Sequence, residues 1–215
     1  MKKIRILIAD DHGMIREGLR AVIAAHRDWE CVGEAPNGRV AVELAAKLKP
    51  DVCIMDVTMP ELNGLEAARQ IVARRPETAV LVQTMHDSES LAQEILAAGA
   101  RGYLLKNDAP ELLAQAIESV AAGRAFFTPR VAEMVLRNFG GKSEPGAPPE
   151  GRLTPREREL VQLLAEGKSN KEAADVLGIS VNTVETHRKN VMSKLQLRSA
   201  ADLVRYAIRN GLTHP

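Results

Sequence analysis

The 215-residue sequence predicts an α/β domain with a doubly wound, five-stranded parallel sheet, followed by a small all-α domain of four helices. Two observations predict the first domain. Short apolar runs rich in β-branched residues alternate five times with helical patterns, and the connections between them are short. A third observation separates the domains: residues 140–151, GGKSEPGAPPEG, show no apolar periodicity and are typical of a tether.

The first half of the chain supplies the alternating elements. Its strands are predicted at 4–9, 31–35, 52–55, 79–84 and 102–105, and its helices at 12–25, 40–48, 64–74, 88–98 and 108–121. Asn37-Gly38 is predicted to form a turn after the second strand. Asp108, with Glu111 three residues later, predicts a capping-box start for the fifth helix.

The third strand ends in a charged residue that a buried strand does not need. The strand is apolar on both faces, and Asp56 follows at its carboxyl end, the edge where open α/β sheets bind ligands. In the flavodoxin-like strand order 2-1-3-4-5, strands one and three are neighbours, which brings Asp10, Asp11 and Asp56 together. The same order separates the strands that carry Cys31 and Cys53, so we expect no disulfide and two small core residues.

The second half begins with a predicted linker. Thr128-Pro129 predicts a helix to about residue 139, which the tether follows. We therefore place the first domain at 1–128, the linker helix and tether at 129–151, and the second domain at 152–215. Four residues are predicted to cap the helices of the second domain: Thr154, Asn170, Ser180 and Ser199. The two helices joined by Gly178-Ile179-Ser180 have the anatomy of a helix-turn-helix.

Composition excludes several classes of protein. Aromatic residues make up 3%, too few for a base-stacking surface that binds single-stranded nucleic acid. No apolar run approaches the ~20 residues of a membrane span or resembles a signal peptide, which predicts a cytoplasmic protein without membrane contact. Residues 1–128 carry 15 Lys and Arg against 18 Asp and Glu, whereas residues 151–215 carry 11 against 7. The resulting net charges, negative and then positive, indicate that the second domain meets a polyanion.

The carboxylates at the sheet edge predict a metal ion and a phosphoryl group. Three neighbouring carboxylates repel one another unless a cation neutralises them, and oxygen-only ligands suit Mg²⁺ or Mn²⁺ rather than Zn²⁺. Beside such an ion, Asp56 is a nucleophile toward phosphorus, which would give an aspartyl phosphate. Thr84 ends strand four and Lys106 follows strand five, so the same edge supplies a hydroxyl and a cation for the phosphoryl oxygens.

Residues 1–128 resemble the receiver domain of two-component response regulators. The residues that carry the resemblance are Asp10, Asp11, Asp56 within DVTMP, Thr84, Tyr103 and Lys106. The resemblance implies that Asp56 is the phosphoacceptor and that Asp11, Asp56 and the backbone carbonyl of Thr58 bind Mg²⁺, with Asp10 in support. It also implies that Lys106 pairs with the phosphoryl group, while Thr84 and Tyr103 shift inward as the switch.

Residues 152–215 resemble the LuxR-type DNA-binding domain, in the segment LTPREREL…GKSNKEAADVLGISVNTVETHRKNVMSKL. Nearly the whole chain is thus similar to the NarL/FixJ subfamily of response regulators. Two departures from that pattern are Gln83, in place of the apolar residue usual before the switch threonine, and Ala173-Ala174, in place of Ile-Ala. The resemblance implies a sensor histidine kinase as phosphoryl donor and double-stranded promoter DNA as target.

The helix after Ser180 indicates DNA contact by its own pattern. Val184, Val191 and Leu195 form an apolar stripe that faces the domain core. The side chains expected to contact DNA lie elsewhere on this helix or just beyond it. Those suited to base edges in a major groove are Asn182, Glu185, Thr186 and Lys189, with Thr183 beside them; those suited to phosphates are Arg188, Lys194 and Arg198.

The sequence therefore predicts a cytoplasmic transcriptional regulator, not an enzyme, whose promoter binding depends on phosphorylation of Asp56. Two alternatives stay open: a regulator that binds DNA without phosphorylation, and a magnesium-dependent phosphatase with an aspartyl-phosphate intermediate. Such phosphatases usually place a second acid two residues beyond the nucleophile, where this chain has Thr58.

The size of the second domain predicts a homodimer in the phosphorylated state. One small helix-turn-helix domain buries too little surface to select a site tightly, so two half-sites about one helical turn apart are expected. The last helix carries Leu203, Ala207 and Ile208 on one stripe, more apolar surface than so small a domain needs inside. This stripe is the basis of the hypothesis that the last helix pairs two DNA-bound domains.

Overall fold

The computed structural model describes residues 3–85, 89–128, 131, 133 and 153–213. The chain divides into two compact units, one formed mainly by residues up to 142 and the other mainly by residues from 143 onward. The predicted linker helix and tether lie outside the described residues, apart from 131 and 133. The domain boundaries at 128 and 152 therefore stay predictions. No helix among the described residues is long and apolar enough to cross a membrane.

Parallel strands in the order β2-β1-β3-β4-β5-β6 form the sheet of the first unit. The strands are β1 Ile4–Ala9, β2 Trp29–Ala35, β3 Val52–Asp56, β4 Ala79–Thr84, β5 Gly102–Leu105 and β6 Phe126–Phe127. The predicted five strands and their order are confirmed. The sixth strand is too short to produce a periodic signal, and it forms because Gly102 and Tyr103 of β5 pair with Phe126 and Phe127.

Among the residues that the structure describes, five helices of the first unit pack around this sheet. They are α1 Gly13–Ala24, α2 Gly38–Leu48, α3 Gly64–Arg74, α4 Glu89–Ala97 and α5 Pro110–Ala121. Helices α1 and α5 pack on one face, where Ile8, Ile54, Leu81, Leu104 and Ile117 belong to one buried cluster. Helices α2 and α3 contact β1, β3 and β4. The domain is thus doubly wound, as predicted.

Two predicted turn and cap assignments in this unit are wrong. Asn37 is not in a turn; it caps α2, because its side-chain oxygen accepts a hydrogen bond from the Val40 amide at 2.8 Å. Asp108 does not start α5, because its carboxylate instead accepts a hydrogen bond from the Leu105 amide at 2.8 Å. The N-cap is Ala109, which is extended because Pro110 disfavours a helical conformation in the residue before it.

The two cysteines are free, as predicted, on strands that flank β1. Cys53 is fully buried, and burial raises the pKa of its thiol to about 12, so the thiol stays protonated. Cys31 is half-buried and packs against the α1–α5 side of the core. Both behave as small core residues.

The second unit is a cluster of helices with serine and threonine caps. Its described helices are α6 Pro155–Ala165, α7 Asn170–Leu177, α8 Val181–Lys194 and α9 Ala200–Arg209. Thr154, Ser180 and Ser199 cap α6, α8 and α9 as predicted. Gly178 ends α7 with a φ of 65°, in the left-handed region that favours glycine.

The predicted cap of α7 is wrong by one residue. Ser169 is the N-cap, since its hydroxyl accepts from the Glu172 amide at 3.2 Å while the Glu172 carboxylate accepts from the Ser169 amide at 2.8 Å. This reciprocal capping box needs an acid three residues after the cap. Asn170 has Ala173 in that position and instead becomes the first residue of the helix.

The apolar stripe of α9 lies inside its own domain. Leu203 and Ala207 are buried in one cluster with Val161 of α6 and Val191 of α8, and Ile208 is half-buried. The argument that this stripe exceeds the needs of the domain is therefore wrong. A homodimer stays a prediction, but Leu203 and Ala207 do not form a free pairing surface.

Candidate functional site

Neighbouring strands deliver the predicted carboxylates to one edge of the sheet. Ala9 of β1 pairs with Met55 of β3, so Asp10, just after β1, and Asp56, the last residue of β3, lie side by side. Ligand atoms of Asp10, Asp11, Asp56 and His12 all lie within 4.8 Å of one another. Asp10 and Asp56 are buried and Asp11 is partly exposed. The structure thus brings together the three predicted acids and adds an imidazole to them.

Lys106 holds the two buried carboxylates together. Its Nζ lies 2.7 Å from Asp10 Oδ2 and 2.9 Å from Asp56 Oδ2, and its side chain is 6% exposed. The Lys106 amide donates to the Thr84 carbonyl at 2.8 Å, which fixes the start of the lysine on the end of β4. Two buried carboxylates repel each other in a medium of low polarity, and the Lys106 ammonium between them offsets that repulsion.

Each oxygen of the Asp56 carboxylate has a partner. Oδ2 faces Lys106, and Oδ1 accepts a hydrogen bond from the Val57 amide at 2.8 Å. Burial raises the pKa of the Asp56 carboxyl, while the charge of Lys106 and these hydrogen bonds oppose that shift. Burial lowers the pKa of Lys106, but its contacts with Asp10 and Asp56 outweigh burial and leave the pKa raised. Lys106 is therefore positively charged at neutral pH.

The remaining predicted residues of this site occupy the strand ends beside it. Thr84 ends β4 and is buried, and Tyr103 in β5 is fully buried opposite Val82 and Phe127. Thr84 and Tyr103 share one face of the sheet, because Val82 pairs with Tyr103 and alternate residues of a strand share a face. Thr58 follows Asp56 by two residues and is half-buried. The switch roles of Thr84 and Tyr103 stay predictions.

Two basic residues of the site were missed from the sequence. His12 donates its amide to Asp10 Oδ1 at 2.8 Å, and its Nδ1 lies 2.8 Å from Asp11 Oδ1. Arg16, one helical turn later, donates to the Asp10 carbonyl at 2.8 Å. Their spacing of four residues at the start of α1, directly after the acidic pair, is the signal that could have revealed them.

A close approach of backbone fixes the loop after Asp56. The Gly64 amide donates to the Val57 carbonyl at 2.7 Å, which closes the loop between β3 and α3. A Cβ at Gly64 would lie 1.7 Å from the Asp56 carbonyl oxygen and 2.8 Å from its carbonyl carbon. A glycine is therefore required at this position by the contact with the Asp56 backbone.

The outward face of α8 is arranged as its periodicity predicted. Val184 and Val191 are buried in the domain core, and Leu195 is half-buried. The predicted base-contacting side chains are exposed: Asn182, Glu185, Thr186 and Lys189. Helix α8 therefore presents a polar row of hydrogen-bonding groups, a shape that fits a major groove.

The other predicted DNA-contacting residues make contacts within the second unit. The Thr183 hydroxyl lies 2.8 Å from that of Ser180. Arg188 donates to the Asn170 side chain at 3.2 Å, and Lys194 forms an ion pair with Glu157 at 2.9 Å. Arg188 and Lys194 thus connect α8 to α7 and α6, and each keeps further N–H donors for other acceptors. Arg198 is exposed beyond the end of α8.

Known protein families match both parts of the chain. Residues 6–118 match the family described as the response regulator receiver domain, and residues 151–207 match the family of bacterial regulatory proteins of the luxR type. The chain belongs to the two-component response regulators with a LuxR-type DNA-binding domain. Such a response regulator is a phosphorylation-dependent transcriptional regulator.

Curated relatives match the response regulator over nearly their full length. The transcriptional regulatory protein DegU of Brevibacillus brevis is 36% identical over 97% of this chain and 94% of its own. The transcriptional regulatory protein LiaR of Bacillus subtilis is 38% identical over 98% of this chain and 100% of its own. RcsB of Salmonella enterica, solved with promoter rprA and the phosphomimetic BeF₃⁻, is 25% identical with a TM-score of 0.60, covering 95% of this chain and 98% of that one.

Lys189 and Arg198 provide a matched pair for testing how the response regulator reads DNA. Lys189→Ala is expected to lose preference for the specific sequence, because a good bidentate base contact contributes about 1–3 kcal/mol of discrimination. Arg198→Ala is expected to weaken binding to all sequences and to reduce the salt dependence by about one phosphate contact. Fluorescence anisotropy with specific and scrambled duplexes at several salt concentrations measures both. Equal loss on both duplexes in Lys189→Ala would contradict its base-reading role.

Proposed function

We propose that a sensor histidine kinase donates a phosphoryl group to Asp56 and that this event controls promoter binding by the second domain. The observation that carries the proposal is the Asp56 carboxylate, held between the Lys106 ammonium and the Val57 amide beside Asp10. A carboxylate with fixed oxygens and a charged lysine within 3 Å is pre-organised for attack on phosphorus. An Asp56 oxygen forms the bond to phosphorus as the bond between phosphorus and the donor breaks.

The donor set at the sheet edge fits Mg²⁺. Asp10, Asp11 and Asp56 offer carboxylate oxygens within 4.8 Å of one another, and hard oxygen ligands at this spacing suit a small divalent cation that keeps several waters. Asp11, Asp56 and the Thr58 carbonyl would hold the ion, with Asp10 in support. When bound, the ion supplies positive charge to the phosphoryl oxygens. Lys106 supplies a second positive charge from the protein side and directs the phosphoryl group over Asp56.

The charge brought by phosphorylation is the signal. A phosphoryl group adds roughly 1.5 to 2 negative charges, and Lys106 is the cation positioned to follow it. The Lys106 amide donates to the Thr84 backbone carbonyl, and Thr84 shares a sheet face with Tyr103, so a shift of the Lys106 backbone that follows its ammonium would act on the strand end that carries Thr84. We infer that this displacement shifts a two-state equilibrium of the receiver domain.

The target is double-stranded promoter DNA, bound by a homodimer of the phosphorylated protein in the cytoplasm. Helix α8 presents the polar face that supports this proposal. Its domain is small, and two copies on two half-sites supply the contacts that one lacks. The proposed role is regulatory rather than enzymatic, because Thr58 stands where phosphatases of this chemistry usually carry a second acid.

Turnover tests the regulator against the phosphatase. The purified protein with Mg²⁺ and acetyl phosphate is expected to retain one phosphoryl group per chain, and to release no phosphate from a phosphomonoester such as p-nitrophenyl phosphate. Phosphate release is followed by a coupled colorimetric assay, with Asp56→Asn as the matched control. Repeated turnover of the phosphomonoester that is lost in Asp56→Asn would contradict the regulatory role.

A further inference from the structure

Gln83 is a buried polar residue beside the phosphorylation site that the mechanism above does not use. It is 8% exposed, and its Oε1 has no hydrogen-bond partner in the described part of the chain. An unpaired buried amide oxygen is unfavourable, and folded proteins contain few of them. The position of Gln83 in the sheet suggests a role for its unpaired amide oxygen.

Gln83 lies on the face of the sheet that carries Asp56 and Lys106. It sits in β4 directly opposite Asp56 of β3, and opposite Leu104 of β5 on its other side. Leu81 and Leu104, two residues before Gln83 and Lys106, belong to the same buried cluster on the α1–α5 face. Because alternate residues of a strand project to the same face, Gln83 projects there too. Lys106, in the turn just after β5, brings its ammonium to Asp56 and Asp10 by its ion pairs.

The Lys106 side chain must cross β4 to make its ion pairs. It begins after β5 and reaches Asp56 on β3 and Asp10 on β1, while neighbouring strands are about 4.8 Å apart. An ammonium group has three N–H donors. Two of them face Asp10 and Asp56, and the third has no partner among the residues that the structure describes. The third N–H of Lys106 and the buried Oε1 of Gln83 therefore lie at the same edge of the sheet, and both lack a partner among the described residues.

We propose that Gln83 is a positioning residue, whose Oε1 accepts a hydrogen bond from the Lys106 ammonium when the phosphoryl group draws Lys106 away from Asp10. This inference rests on the proposed phosphorylation of Asp56. The amide oxygen is unpaired in the resting arrangement and paired in the phosphorylated one, so Gln83 favours the phosphorylated state. An apolar residue of similar size removes that preference, because it has no unpaired group to relieve.

Binding of a phosphoryl mimic measures this preference at equilibrium. Full-length wild type and Gln83→Leu are titrated with beryllium fluoride in the presence of Mg²⁺, and bound fluoride is followed by ¹⁹F NMR. We expect Gln83→Leu to bind the mimic at least about fivefold more weakly, the size expected for loss of a buried hydrogen bond to a charged group. The melting temperature of the resting protein is expected to stay unchanged or to rise. Gln115→Leu, an exposed glutamine in α5, is the control and should bind as wild type does.

A double-mutant cycle tests whether Gln83 acts through Lys106. In a Lys106→Met background, Gln83→Leu is expected to cause no further loss of affinity, because the two effects share one interaction. The same fold loss in both backgrounds would mean that the amide contacts the ligand directly and would overturn the proposal. Unchanged affinity in Gln83→Leu, or a lowered melting temperature alone, would overturn it as well. Failure of wild type to bind the mimic would instead overturn the proposed function together with this inference.

Discussion

Asp56→Asn is expected to take up no phosphoryl group under conditions in which the wild-type protein takes up one. The amide that replaces the carboxylate is a poor nucleophile, and it also loses the charge that pairs with Lys106 at 2.9 Å. With Mg²⁺ and acetyl phosphate, intact-mass spectrometry should show the wild-type chain gaining the mass of one phosphoryl group. The variant should keep its original mass throughout.

Asp28→Asn is the matched control for this loss. Asp28 is an exposed aspartate just before β2, and it does not belong to the carboxylate site. This variant should gain mass at the wild-type rate, which shows that removal of one negative charge does not abolish uptake. A stable phosphoryl group on Asp56→Asn would show that another residue is the acceptor.

Gly64→Ala is expected to be strongly destabilising, although it adds only one methyl group. The added methyl group would lie 1.7 Å from the backbone oxygen of Asp56, so the backbone of the loop must move. Overpacking in a packed interior costs about 1–3 kcal/mol and more when backbone must shift, so we expect a loss of at least about 3 kcal/mol. Trp29 is the sole tryptophan of the chain and is buried in β2, so urea unfolding followed by its fluorescence reports on this unit.

Gly18→Ala is the opposite case in the same domain. Gly18 lies inside α1, and a Cβ there would meet no atom within 4 Å. Replacement of a helical glycine by alanine should stabilise the domain by about 0.5–1 kcal/mol. If both variants lose stability equally, contact with the Asp56 backbone is not the reason that Gly64 is needed.

The sheet and its carboxylates could be predicted because both depend on short-range patterns. Apolar runs and short connections determine which strands lie side by side, and Asp56 ends a strand while Asp10 and Lys106 each follow one directly. Residues that follow parallel strands must lie at the same edge, so their proximity required no knowledge of packing. The polar face of α8 could be predicted for the same reason, since one helix has a fixed period.

The parts that could not be predicted depend on contacts between distant residues or on a choice between nearby side chains. Gly64 is needed because the Asp56 carbonyl approaches it, which no local pattern shows. Leu203 is inside the domain because α6 and α8 leave room for it there. Ser169 caps α7 instead of Asn170 because Glu172 completes a capping box with the serine alone. The first two could be recognised only from the three-dimensional structure, and the third only by comparing Ser169 and Asn170 as caps.

The central claim is that phosphorylation of Asp56 controls binding to DNA, and one titration tests it most directly. A labelled promoter fragment, selected from genomic DNA by the protein itself, is titrated at fixed salt with wild type and Asp56→Asn, each with and without Mg²⁺ and beryllium fluoride. The wild-type protein should bind at least tenfold more tightly with the phosphoryl mimic, a change of about 1.4 kcal/mol, and Asp56→Asn should not respond. Equal wild-type affinity in both conditions, or the same response in Asp56→Asn, would contradict the account.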